Sequence, residues 1–305
     1  MRTYILRRLG YSALSLVLLS ATIFFLIRLT GDPARLMVGP GGRPEDVERT
    51  RTEWGLDRSW PEQYLSFIRN LASGDFGTSF QYRLTVRELY AERLPYSLQL
   101  ASAGLLISLC IGIPLGIVTA VKVDTVWDTV CKIIAMLGLS VPGFFVGLVM
   151  IIVFAVNLRW LPASGSGTPY HLVMPALALG WYFAASMLRL TRSSMLEVLD
   201  SEYVKLARLK GVPEKIVIAK HAFKNALIPV LTLAGINFVI MINVAVIIET
   251  IFAWPGIGRL LFEGIQNRDF PIVQGVVVLA GVMIVTVNLF VDLLYAVIDP
   301  RIRYS

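Results

Sequence analysis

Six apolar stretches, at about 9–29, 98–121, 133–156, 171–190, 227–249 and 272–298, constrain this 305-residue chain more than any other feature. Each reaches the roughly 20 residues an α-helix needs to cross about 30 Å of hydrocarbon. Lipid offers no partner to peptide N–H and C=O groups, so such segments have to be helices. The sequence therefore predicts an all-α integral membrane protein of about six transmembrane helices. Composition agrees: 56% of residues are hydrophobic and 16% charged, and the charges fall between the apolar runs.

The polar intervals set the organisation. Helix 1 occupies 1–29, and residues 30–97, with nine Arg and ten Asp or Glu, read as a small extracytoplasmic subdomain. Residues 98–305 form a five-helix core interrupted by a basic, helix-patterned loop at about 191–226. The apolar stretch after Arg2, Arg7 and Arg8 is too long for a signal h-region, and no A-x-A-like cleavage site follows it. It is read as a retained helix. Fifteen Lys and Arg flank the spans on one side: three in the N-terminal tail, Lys122 and Lys132, eight in 189–224, and Arg301 and Arg303. The two short loops opposite carry only Arg159, Arg259 and Arg268. Basic residues stay inside, so both termini are expected to be cytoplasmic, in the inner membrane of a prokaryote. The +7 formal charge is thereby a topology signal; the basic residues do not interleave with exposed aromatics as a nucleic-acid surface would.

Chemistry of the chain's own is hard to find. Cys110 and Cys131 have no His or Cys at metal-ligand spacing, and His171 and His221 are isolated. No catalytic residue, no metal site and no cofactor is assigned. An intramembrane enzyme would need a nucleophile with its base or paired carboxylates in the spans, and the sequence has none. No Gly-x-x-x-x-Gly-Lys-Ser/Thr phosphate loop occurs.

The stretch Asp200 to Pro213 reads as helix, break, helix. Lys205, Arg208 and Lys210 suit a helix C-terminus, Gly211 the left-handed position after it, and Pro213 the first turn of the next helix. Such a stiff knob is suited to being pushed by a partner; the competing reading is an amphipathic helix on membrane lipid. Glycines and prolines at 104, 112, 114, 116, 138, 142, 143 and 147 allow either tight packing or a path that changes shape. Asn237, Asn243, Asn288 and Asp292 are polar groups inside spans, open to interhelical hydrogen bonding or to lining a path. Glu249 is a candidate gate or docking group, or else a cap. Asp75, Phe76, Trp254 and Arg259 lie on turns where an external protein could dock or which pack onto helix ends.

The loop carries Tyr203-Val204, Ala207-Arg208, Lys210-Gly211, His221, Asn225-Ala226 and Pro229. In these residues the chain resembles permeases of ABC importers, specifically the B-type permease subunit of the dipeptide, oligopeptide and nickel transport family. Gly31-Asp32-Pro33, Gly74-Asp75-Phe76-Gly77, Glu249 to Arg259, Asn267 to Pro271 and Asp299-Pro300-Arg301-Ile302-Arg303 extend it over nearly the whole length. Glu202 is followed by Tyr203 and Val204 where the generic importer loop has two alanines, and Phe223-Lys224 replace its Leu-Pro. The resemblance implies a heterodimer with a second homologous permease, two cytosolic ABC ATPases that bind ATP and Mg, and an extracytoplasmic substrate-binding protein. It implies that Tyr203, Ala207, Arg208, Lys210 and Gly211 contact the ATPase. Di- or oligopeptides are the implied cargo, with nickel chelates and glutathione as alternatives and an ATP-independent channel or carrier as the remote one.

Overall fold

A computed structural model of the chain describes residues 2–39 and 41–298, so the tail motif from Asp299 lies outside them. The elements in chain order are α1 (Arg2–Thr30), α2 (Pro33–Val38), α3 (Pro44–Glu53), α4 (Trp60–Ala72), α5 (Val86–Val121), α6 (Val126–Ser140), α7 (Gly143–Met150), α8 (Pro169–Leu199), α9 (Glu202–Leu209), α10 (Glu214–Ile216), α11 (Lys224–Ile251), α12 (Ile257–Gln266) and α13 (Phe270–Ile298). Two π-helical turns, Ile151–Asn157 and Val217–Phe223, extend α7 and join α10 to α11. Among the described residues five helical segments are long and apolar enough to cross a membrane: Gly10–Leu29, Val86–Val121, Pro169–Leu199, Glu214–Ile251 and Phe270–Leu289.

The expected straight span over 133–156 is not one helix. It is a pair, Val126–Ser140 and Gly143–Asn157, bent by 100°. Pro142 has no N–H to continue the ladder, and its ring drives the residue before it out of the helical region. Val141 accordingly sits at φ −90°, ψ 120°. Helix α5 departs in the other direction, starting a dozen residues ahead of the apolar run. Its start is a capping box: Thr85 Oγ1 accepts from Glu88 N, while Glu88 Oε2 accepts from Thr85 N.

The chain divides into two compact units. One comprises the described residues up to Pro95 together with Arg259–Val287, so the stretch 30–95 clusters with α1 and with residues of α12 and α13. Within it, α4 lies on α1 through an aromatic cluster in which Phe24 meets Tyr64 edge-on at 5.2 Å and Phe67 at 5.6 Å. Arg28 donates from Nε and Nη2 to Gln63 Oε1, and its guanidinium lies 3.4 Å from the Phe24 ring centre.

A second anchor of this unit is Asp269, buried just before α13. Its Oδ2 accepts from Ser79 Oγ at 2.6 Å and from Gln81 N at 3.1 Å, and its Oδ1 accepts from Ile272 N at 3.4 Å. One carboxylate thus caps a helix and holds a loop almost two hundred residues away in sequence. Asp269→Ala removes the cap and strands a buried hydroxyl, a loss of about 2–3 kcal/mol. The expected outcome is a clearly lowered thermal midpoint of the solubilised protein, partly restored in Asp269→Asn; an unchanged midpoint would refute this role.

The other unit comprises Tyr96–Gly258 and, of the described residues, Asn288–Ile298. Helix α8 is its centre and packs against α6, α7 and α11. Close approach explains its small residues: a Cβ on Gly112 would meet the Ala184 carbonyl at 2.7 Å, and one on Gly180 the Gly104 carbonyl at 2.8 Å. These glycines are packing surfaces of the bundle.

Candidate functional site

The knob is built as the sequence suggested. After α8 ends at Leu199, helix α9 runs to Leu209, and Gly211 takes φ +74°. Gly211 N donates to the Arg208 carbonyl at 3.0 Å and Val212 N to the Ala207 carbonyl at 3.2 Å. This is the paired closure of a Schellman turn, which needs a residue free to adopt positive φ. Pro213 stands one position earlier than expected, preceding α10 rather than opening it.

Each face of α9 has a distinct role. Val204 and Ala207 are buried with Val217 in a cluster supported by Val198, Leu199 and Val212. Ala207 therefore turns toward its own chain. Leu206 and Leu209, which the sequence reading did not single out, are exposed, Leu209 at 84%, and Tyr203 joins them on the open side. Tyr203 is oriented through its hydroxyl, which accepts from Asn225 Nδ2 at 3.0 Å. The missed signal was helical spacing: with 204 and 207 inward, 206 and 209 fall on the opposite side of the helix.

Charges stiffen the knob. Arg208 donates from Nη2 to Glu214 Oε1 at 2.7 Å and from Nε to Oε2 at 3.2 Å, bridging the break from α9 to α10. Lys205 Nζ lies 3.0 Å from Asp200 and 3.3 Å from Glu202. The Glu214 hydrogen bond holds the Arg208 guanidinium above its ordinary value, and hydrogen bonds to Asp200 and Glu202 raise Lys205. Both remain cationic near neutral pH. Lys210 is exposed at the end of α9.

The Glu249 segment is a knot. Glu249 is buried near the end of α11; Ser97 Oγ donates to its Oε1 at 2.5 Å and accepts from Ile257 N at 2.8 Å. Gly256 and Gly258 press on the carboxylate so closely that a side-chain carbon on either would overlap it. Trp254, open in the sequence to docking or to packing on helix ends, is 2% exposed and donates from Nε1 to the Tyr96 carbonyl at 2.9 Å. The knot fixes the direction in which the chain leaves α11.

The remaining expected residues are not brought together. Asn237 is buried on α11 and its Nδ2 has no hydrogen-bond partner among the described residues; the same holds for Trp181 Nε1 and Thr191 Oγ1 on α8. Asn243 is exposed and donates to the Val239 carbonyl at 2.9 Å. Asn288 is exposed on α13, and the side chain of Asp292 lies outside the described residues. In the other unit Asp75 is exposed and accepts from Gly77 N at 2.9 Å, Phe76 is half-buried, and Arg259 donates to Glu263 at 2.8 Å.

Comparison with known proteins decides what this architecture is. Residues 112–304 match the model of the "binding-protein-dependent transport system inner membrane component" family, and residues 1–101 match its N-terminal companion. The chain belongs to this family. It is a multi-pass inner-membrane permease subunit of an ABC importer, a class that works with ATPase partners. Among relatives of the permease, a putative peptide transport system permease protein of Brucella abortus is 41% identical over 315 residues, covering 100% of both chains. The glutathione transport system permease protein GsiC of Escherichia coli K12 is 38% identical over 306 residues, again covering 100% of both. The inward-facing MetNI methionine ABC transporter superposes with a TM-score of 0.60 at 17% identity, over 70% of the permease and 97% of that chain. An amino acid ABC transporter gives 0.55 at 15% identity, over 69% and 94%. Those two likenesses show the fold.

Proposed function

We propose that this permease forms half of the translocation pathway of an importer for short peptides, and that α9 with the turn at Gly211 is where a cytosolic ATPase seats. The observation that carries the proposal is the division of α9 into a buried face, Val204 and Ala207, and an open face of Tyr203, Leu206 and Leu209 ringed by Arg208 and Lys210. An apolar patch on a rigid element, rimmed by paired charges, is the anatomy of a docking surface. Closing of the ATPases on ATP and Mg would push this knob, and the knob continues into α8 and α11, where Asn237 Nδ2, without a partner among the described residues, supports a polar lining for the path. A second, homologous permease completes the pathway, an external binding protein delivers cargo, and both termini face the cytosol, the side on which basic residues concentrate.

Short peptides are the cargo because full-length similarity at 41% and 38% runs to permeases named for peptide and for glutathione, itself a tripeptide. The test is affinity purification of the tagged chain from its host after gentle solubilisation. Recovery of ATPases, a second permease and a binding protein, with ATP hydrolysis stimulated by di- and tripeptides, is expected. Recovery of the chain alone, or stimulation by no peptide, would overturn the assembly or the cargo respectively.

A further inference from the structure

Three cations meet around one cavity in the α6–α8 region. Lys132 on α6 and Arg189 and Arg192 on α8 line a volume of about 670 Å³, together with Ser186, Ser193 and leucine side chains. Positions 186, 189, 193 and 196 recur at helical spacing, so α8 presents them on one face. Among the described residues one acid answers these cations: buried Asp128 lies 2.7 Å from Lys132 Nζ and 3.2 Å from Arg192 Nε. Arg189 is exposed and has no hydrogen-bond or ion-pair partner among the described residues. The cluster therefore keeps an excess of positive charge beside apolar wall.

Its depth is the second observation. Lys132 immediately precedes the apolar run at 133–156, and Arg189 and Arg192 stand at the close of the run at 171–190. Both belong where hydrocarbon gives way to headgroups, and this holds whichever way the chain is oriented. We propose that the cavity binds the phosphate of an acidic phospholipid such as phosphatidylglycerol, with Arg189 and Lys132 on the phosphate and the leucines along the glycerol and first acyl carbons. A free phosphate would have no use for that apolar wall, and a zwitterionic lipid would bring its own cation into a site already in excess.

The test uses the purified full-length protein with its co-purifying partners in detergent. Dioctanoyl phosphatidylglycerol, dioctanoyl phosphatidylcholine and inorganic phosphate are each titrated while bound lipid is counted by native mass spectrometry. Saturable binding of phosphatidylglycerol alone is expected, weakened about fivefold in Arg189→Gln, the loss of one cation near a lipid surface. Arg189 has no partner among the described residues, so the variant should keep its thermal midpoint, separating loss of binding from loss of fold. Equal binding of the two lipids, displacement by inorganic phosphate at matching concentration, displacement by a dipeptide, or unchanged affinity in Arg189→Gln would each overturn the proposal.

Discussion

Gly256→Val is expected to stop the permease accumulating in the membrane. A side chain there drives into the Glu249 carboxylate, which is fully buried and held by Ser97, so it has nowhere to retreat. Gly258 is equally confined, since its Cβ would meet Val246 Cα at 2.7 Å. Overpacking a rigid site of this kind costs about 3 kcal/mol or more, a large share of the stability of any domain. Glu249→Ala attacks the same knot from the other side by stranding the Ser97 hydroxyl, with a cost of similar size. Ser97→Ala should be milder, about 1–2 kcal/mol, because it removes one neutral hydroxyl partner and leaves Glu249 a further interaction. The amount of tagged chain in membranes and the thermal midpoint of what is recovered provide the measurement. Wild-type levels and midpoint in Gly256→Val would show that the turn after α11 relaxes freely, against the geometry described.

Leu209→Asp should do the opposite: leave the chain intact and disconnect it. The side chain is 84% exposed, so removing it changes the chain's own stability by about 0.5 kcal/mol or less. If α9 seats in an ATPase pocket, an aspartate there desolvates without a partner and costs at least about 2 kcal/mol of binding, some thirtyfold. Ala207→Asp is the informative contrast. Ala207 is buried against Val204 and Val217, so that substitution acts by unseating the knob from its own chain, and the midpoint should fall with it. Retention of ATPase on pull-down and peptide-stimulated hydrolysis with Leu209→Asp would sink the docking assignment; losing both with an unchanged midpoint would carry it.

Much of this was legible before any fold was in hand, for stated reasons. An apolar run of this length can cross hydrocarbon only as a helix, so the runs fixed the class; five of the six lie in single helices long enough to cross, and the sixth is broken. The Schellman closure at Gly211 was readable because it depends on one residue's backbone freedom and on its immediate neighbours. Boundaries were less legible where local devices intervened: the Thr85–Glu88 capping box begins α5 well before its apolar run, and Pro142 splits one hydrophobic stretch into two arms at 100°. Both signals were present in the sequence, but length and hydropathy outweighed them.

The sequence by itself determined that this protein is a helical membrane protein with a stiff basic knob, because solvent exclusion and local backbone rules act through residues close along the chain. Only the tertiary structure decided which side of each element does what. It turned Ala207 inward and Leu209 outward, buried Trp254 against the Tyr96 carbonyl, made Glu249 the centre of a knot with Ser97 and two glycines, and set Asp269 on Ser79. Those pairings join residues up to 190 positions apart, and no periodicity or propensity carries information about which distant partner a buried polar group will find.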